Sequence, residues 1–414
     1  MWALTAVVAW LAGRGFVVWE MVRQYPWSTG DVSYFRISLD SASASGVAHV
    51  LTEYPFPAVG VLAVPAWLAS LSGYPSHYAV AFAGLGLLTD AGFAVALWWS
   101  GRRWALWCWV LAIPLMGPVS YSRFDLVPGV LVGATLLAVP RFPRASGAFL
   151  AFATGVKLWP AMILPTLVAS VRRRGEVVAV VLAIGAVLVG GTLWVGGWSR
   201  LVSPLTYQFD RGLEIEAVAA TPAIIGWWRQ PDTWNIAYAH SLSYEVTGPG
   251  VRFLLGLTTL LTLVFVAGLA GAWVLSFRRR SSPQVLVWTA LAAVTGFMTT
   301  GKVLSPQYFL WLLPATAAGL AVVGGRSLLR WSVVLLAATG LTQLVFPVWF
   351  GGLTLRDGDV GSVVPTLVLR NVLLVILFGW AAREAWWAMR HPRVETSQLA
   401  SHAAKTAGEV TPRR

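Results

Sequence analysis

Charge is what this chain lacks most: 11% of its residues are Asp, Glu, Lys or Arg, and only 17 of 414 are acidic. A soluble domain carries roughly a quarter of its residues as charges, so a water-exposed globule is excluded. Cysteine is nearly absent too. The single Cys108 excludes an intramolecular disulfide and any cysteine metal cluster, and core packing is its ordinary role. None of the five histidines has a partner at a spacing such as His-Glu-x-x-His, and two glutamates in a polar loop, Glu214 and Glu216, read as surface charges rather than a metal pair. No metal and no cofactor is therefore expected. There is no Gly-x-x-x-x-Gly-Lys-Ser/Thr loop for a nucleotide phosphate and no Gly-x-Ser-x-Gly elbow for a serine nucleophile. Heptads, low-complexity blocks and long soluble domains are missing as well, and only the polar end, residues 383–414, reads as a disordered tail.

What is present is apolar sequence in membrane-length pieces, 57% of the chain being hydrophobic. Arginine clusters separate the pieces: Arg102/Arg103, Arg141/Arg144, 172–174, 278–280, Arg326/Arg330 and the run from Arg383. Short loops on the cytoplasmic side carry excess Lys and Arg, so all of these clusters belong on that face, with both termini. The net charge of +13 then reports orientation and contact with anionic membrane lipid, not nucleic acid. The reading is an all-α polytopic protein of the cytoplasmic membrane, in one domain over 1–382 with outer loops at 20–76 and 196–250. About 20 apolar residues span a bilayer. Twelve candidate spans follow: 2–19, 77–99, 104–119, 126–139, 147–156, 159–171, 177–195, 253–276, 285–299, 304–323, 331–350 and 363–380. The first has no basic flank before it and contains Arg14, so it reads as a retained span. A thirteenth apolar piece, 56–71, would reverse the sidedness of Arg102/Arg103 and Arg141/Arg144 if it crossed, so it is expected to be re-entrant or juxtamembrane. Likewise 147–171 is expected to be a hairpin of two short helices with its turn outward. Under this topology 18 Lys/Arg and 4 Asp/Glu are cytoplasmic, against 12 and 13 in the outer loops and membrane interior.

The chemistry should then lie outside. Arg123, Lys157 and Lys302 stand at the boundaries of apolar helices, where a cation must find an anion or reach water. They anchor helix ends at the headgroups, or they converge on a departing phosphate, whose developing charge fixed cations stabilise in a water-poor site. Asp31 is positioned to take a proton from an attacking hydroxyl, a solvated turn residue being the plainer alternative. Tyr34, Glu53, Tyr54, Asp125, Trp159, Arg211, Glu214, Gln307 and Tyr308 complete the expected substrate cleft. Trp159, Trp227 and Trp228 are available to stack on sugars. Asp90 is expected to hydrogen-bond within the bundle, and Arg370 and Asn371 to meet either a lipid phosphate or neighbouring helices.

The order of these segments resembles glycosyltransferase family 87, of the GT-C superfamily. The resemblance rests on Gly30-Asp31 with Tyr34, on Tyr54-Pro55-Phe56-Pro57, and on Arg123-Phe124-Asp125. It extends through Lys157-Leu158-Trp159-Pro160 to Lys302-Val303-Leu304-Ser305-Pro306-Gln307-Tyr308. It implies an inverting transfer on the extracytoplasmic face, from a polyprenyl-phosphate sugar donor to a lipid-linked or glycan acceptor, with Asp31 as general base. The family includes mannosyl and arabinofuranosyl transferases. Many GT-C enzymes have a paired acidic motif in the first loop, whereas Val32 and Ser33 follow Asp31 here. The rival from another class is a transporter of lipid-linked sugars, but the two halves of the chain show no matching broken helices.

Overall fold

The computed structural model describes residues 2–24, 27–209, 211–279 and 281–391. Asp210, Arg280 and the end of the chain from residue 392 lie outside that range. Every apolar piece read from the sequence is helical. In chain order the helices are α1 (Trp2–Arg23), α2 (Gly30–Ser45), α3 (Phe56–Leu71), α4 (Tyr78–Trp99), α5 (Arg103–Met116), α6 (Val119–Ser122), α7 (Leu126–Ala138), α8 (Pro143–Val156) and α9 (Leu164–Ser170). There follow α10 (Arg174–Phe209), α11 (Thr221–Arg229), α12 (Val251–Arg278), α13 (Pro283–Thr300), α14 (Phe309–Val322), α15 (Arg326–Gln343), α16 (Phe350–Thr354) and α17 (Val360–Arg390). One antiparallel hairpin, β1 (Asn235–Tyr238) and β2 (Tyr244–Thr247), interrupts the helices.

Among the described residues six helices are long and apolar enough to cross a membrane alone: α1, α4, α10, α12, α15 and α17. The expected count of twelve crossings is thus not reproduced as twelve full-length helices. At 1.5 Å per residue, the 14 residues of α5, α8 or α14 make a helix of roughly 21 Å, short of a bilayer core. The expected 147–171 hairpin is present as α8, a 3-10 turn over Trp159–Ile163 and α9. Helix α17 runs to Arg390, past the residue 383 at which a disordered tail was expected. Its last turns still bury Ala385, Ala388 and Met389, so packing continues beneath the charges of Arg383, Glu384 and Arg390.

Two apolar clusters hold the bundle. The larger runs through α5, α7, α13, α14 and α17. The smaller joins α2, α3 and the start of α4 through Val32, Phe35, Leu62, Tyr78 and Phe82. Tyr78 Oη donates to the Leu62 carbonyl at 3.1 Å. Helix α3 therefore packs against α2 and α4, and also against α8 and α10.

A buried ion pair locks the other end. Arg14 of α1 grips both carboxylate oxygens of Asp90 on α4 at 2.8 Å, and donates also to the Val110 carbonyl. Trp109 Nε1 and Tyr121 Oη complete the shell of Asp90 at 2.7 and 2.6 Å. With both oxygens multiply satisfied, a charge fully buried in an apolar bundle is tolerated, and the in-bundle role expected of Asp90 is the observed one. At the outer end of α10, Gly197 adopts φ 65°, ψ −162°, a conformation closed to residues with a Cβ. The kink turns the following helical stretch over the loop before α3, where Arg200 donates to the carbonyls of Tyr54 (2.9 Å) and Leu51 (3.2 Å).

Candidate active site

Asp31 sits in the first turn of α2, where the helix dipole favours a carboxylate. Arg123 leaves α6 in an extended conformation (φ −127°, ψ 137°) that carries its side chain back to α2. Its Nε lies 2.9 Å from Asp31 Oδ2, in charge contact but with the N–H aimed off the line. Nη1 donates to the carbonyls of Ser122 (3.1 Å) and Ser28 (3.4 Å), and the guanidinium lies 5.6 Å over the Phe346 ring. Among the described residues no hydrogen bond reaches Asp31 Oδ1, and the side chain is 37% exposed.

A second pair lies two residues along. Asp125 opens α7, is 2% exposed, and accepts from Lys157 Nζ at 2.5 Å and from Trp311 Nε1 at 2.7 Å. Lys157 is extended (φ −152°, ψ 133°) because α8 ends there and Pro160 prevents its continuation. Its ammonium faces the rings of Phe124 (5.0 Å), Trp311 (5.2 Å), Tyr54 (5.7 Å) and Tyr308 (5.9 Å). Such a cage holds a cation by ring quadrupoles while excluding water. Tyr308 stacks on Trp311 at 3.9 Å, and Trp159 on the same indole at 5.0 Å. Tyr54 feels the charges of Asp31, Asp125 and Arg123 together, so the two pairs converge on it, and burial followed by those carboxylates raises its phenol pKa well above the ordinary value.

The third cation is placed by a strand-like segment. Ile215 N donates to the Tyr244 carbonyl and Val246 N to that of Leu213, which adds 213–215 to the β2 edge. From it Glu214 N donates to the Lys302 carbonyl (3.1 Å), Glu214 Oε2 accepts from Leu304 N (2.7 Å), and Lys302 Nζ donates to the Arg211 carbonyl. Glu216 is clamped from α17: Arg370 Nη2 reaches its Oε2 at 3.1 Å and its carbonyl at 3.2 Å, and Asn371 Nδ2 reaches the same carbonyl and Thr221 Oγ1. Both glutamates are buried, 6% and 2% exposed, which corrects their reading as surface charges. Burial raises the pKa of each; Glu216 adds to the rise at Glu214, while Arg370 opposes it at Glu216. Of the two readings of Arg370 and Asn371, contact with neighbouring elements is the one seen.

Most of the expected cleft is brought together. Asp31, Arg123, Asp125, Lys157, Tyr54, Tyr308 and Trp159 adjoin directly, and Tyr34 closes one edge by donating to Glu53 Oε1 at 2.7 Å. Arg211, Glu214 and Lys302 interlock beside Tyr308, and Gln307 is half-buried on the same turn. Two of the expected sugar platforms are not available. Trp159 and Trp227 are 6% and 5% exposed, one under Trp311 and the other under Arg356 at 5.1 Å. Trp311 went unread in the sequence, although its spacing of three from Tyr308 puts both on one helical face. Phe346 and Arg200 had no such signal.

Near the pairs opens an apolar groove of about 180 Å³, between the start of α3 (Phe56, Pro57), α8 (Ala151, Gly155) and α10. On α10 it is lined by Val181, Gly185, Leu188 and Thr192, one stripe at helical spacing. Pro55 and Leu158, also in its lining, are chain neighbours of Tyr54 and Lys157.

The chain is a mostly helical bundle with six membrane-length helices among its described residues and with paired charges near an apolar groove, and its similarity to known proteins gives its class, a membrane glycosyltransferase. The family model described as glycosyltransferase family 87 matches residues 52–306, and the chain belongs to that family. The match begins after Asp31 and ends before Gln307. No curated protein and no solved structure matches the chain.

Proposed function

We propose that the protein transfers mannose from polyprenyl-phosphate mannose to a lipid-linked or cell-envelope glycan, on the extracytoplasmic face of the cytoplasmic membrane and with inversion. The observation that carries this reading is two adjoining acid–base pairs, Asp31–Arg123 and Asp125–Lys157, near an apolar groove whose lining includes Pro55 and Leu158, the chain neighbours of Tyr54 and Lys157. A polyprenyl chain fits the groove, and its phosphate falls beside Lys157. The acceptor hydroxyl gives its proton to Asp31 Oδ1 as its oxygen bonds to the anomeric carbon. The bond from that carbon to the phosphate oxygen breaks, and the phosphate leaves with the electron pair. Lys157 and Arg123, with Lys302 behind Arg211, stabilise the growing negative charge in a site with little water. Arg123 also fixes which oxygen of Asp31 faces the acceptor.

The test is release of polyprenyl phosphate from a short-chain polyprenyl-phosphate mannose by the purified protein. Wild type is expected to release it in the presence of a lipid acceptor extract, and Asp31→Asn to lose at least 100-fold in rate while remaining folded. Equal rates would remove Asp31 from the mechanism. Release only from polyprenyl-phosphate arabinofuranose would move the activity to the sister sugar, and consumption of neither would bring the transporter reading forward.

A further inference from the structure

Arg123, the partner of Asp31, begins a wall of aromatic rings that the transfer reaction, as described so far, does not use. Arg123, in contact with Asp31 at 2.9 Å, lies over Phe346 at 5.6 Å. Phe346 meets Phe350 edge-on at 4.9 Å, Phe350 meets Tyr244 at 5.7 Å, and Tyr244 meets Tyr238 at 5.2 Å. Tyr238 in turn lies close enough to Asp31 to feel its charge. These ring contacts run in series from Arg123, the partner of Asp31, to the hairpin. The ring of Tyr238, at the end of β1, is 60% exposed, whereas Phe346 is 9% exposed.

This wall is held rigidly. The hairpin bearing Tyr238 and Tyr244 is paired in register from Asn235 to Thr247, and β2 is fastened to Leu213 and Ile215. Its tip is tied to α10 by Tyr207 Oη, which donates to the Ser241 carbonyl at 2.9 Å. An exposed aromatic on a fixed strand loses little freedom when a ligand covers it. Its chemistry selects that ligand. A pyranose carries one face of C–H groups that lies against an electron-rich ring, while its rim hydroxyls remain free for polar partners. Asp31, with one oxygen unengaged by hydrogen bonds, is such a partner.

We propose that the hairpin is the acceptor subsite: the sugar ring that receives the new bond stacks on Tyr238, which presents its hydroxyl to Asp31. The acceptor is accordingly a glycan with a pyranose at its attachment point, not a bare polyol or lipid alcohol. This rests on the transferase reading above and adds the element on which the acceptor sits, the hairpin, which has no residue in the lining of the apolar groove.

The experiment uses the full chain in nanodiscs, free of sugar detergents, with octyl α-mannoside as acceptor probe and octyl glycerol as the ringless control. Tyr238→Ala is expected to raise the KM for octyl mannoside about tenfold with kcat within about twofold, and Tyr238→Phe to keep wild-type values. Acceptor-independent release of polyprenyl phosphate should be the same in all three proteins. A saturation-transfer NMR measurement without donor gives a second reading: transfer to the mannoside ring protons in wild type and Tyr238→Phe, and none in Tyr238→Ala. An unchanged KM in Tyr238→Ala, or octyl glycerol accepted as well as the mannoside, overturns the subsite and leaves the transferase intact. A wild type that binds the mannoside through Tyr238 but consumes no donor sinks the transferase reading and keeps the sugar site.

Discussion

Lys157 shows how one residue serves both as packing and as chemistry. Its ammonium is caged by four rings and paired with a carboxylate that is 2% exposed. Removing one partner of such a pair strands the other charge, at a cost of about 3 kcal/mol or more, whereas replacing both with apolar groups of similar volume is often neutral. Asp125→Leu alone should therefore lower the thermal midpoint in detergent, and Lys157→Met with Asp125→Leu should recover most of it. Transfer is a different matter, because a phosphate leaving group needs the cation. The stable double variant is expected to be at least 100-fold slower in releasing polyprenyl phosphate. A double variant with wild-type rate would reduce Lys157 to a structural anchor.

At the level of elements, the site depends on how closely α7 and α14 approach. Gly129 of α7 faces the Leu310 backbone, where an added Cβ would come within 2.0 Å of the carbonyl oxygen. Gly133, one turn on, faces the side chains of Phe93 and Pro314, which an added Cβ would approach to 2.7 and 3.0 Å. Small residues at helical spacing let helix backbones touch in a membrane, where packing replaces the hydrophobic effect. The same two helices carry Asp125 and Trp311, joined at 2.7 Å. Gly129→Val should therefore force the helices apart, break that hydrogen bond and loosen the cage of Lys157. The expected results are a thermal midpoint lower by several degrees, and Trp311 fluorescence, in a background with other tryptophans replaced, shifted to the red. Wild-type fluorescence in a folded Gly129→Val protein would contradict the coupling.

Across the whole molecule, sidedness decides on which face of the membrane the site opens. The positive-inside pattern places the loop at Ser100 in the cytoplasm and the loop at Ser72 outside. Both serines are exposed, and Cys108, the single native cysteine, is buried. In a Cys108→Ala background, Ser72→Cys in intact cells should react with a membrane-impermeant maleimide, and Ser100→Cys only after permeabilisation. The reverse pattern would place the whole site, Asp31 and Lys157 together, on the cytoplasmic side and overturn the extracytoplasmic reading.

Much of this was legible in the sequence because it is written locally. Apolar runs, arginine clusters and the prolines at 57 and 160 set where helices start, stop and face, since hydropathy and backbone sterics act over a few residues. Arg123, Lys157 and Lys302 could be picked out because a charge at the end of an apolar helix must be answered by something, whereas Asp31 and Asp125 stood out chiefly through the motifs that carry the family resemblance. Local pattern does not say by what. That Arg123 meets Asp31, that Lys157 meets Asp125 beneath Trp311, and that Glu216 is clamped by Arg370 across 154 residues was decided by packing alone. So was the burial of Glu214 and Glu216, whose polar surroundings in sequence read as solvent until β2 and α17 closed over them. A buried charge gains its partner from whichever helix the fold brings near, and that choice is a property of the tertiary structure.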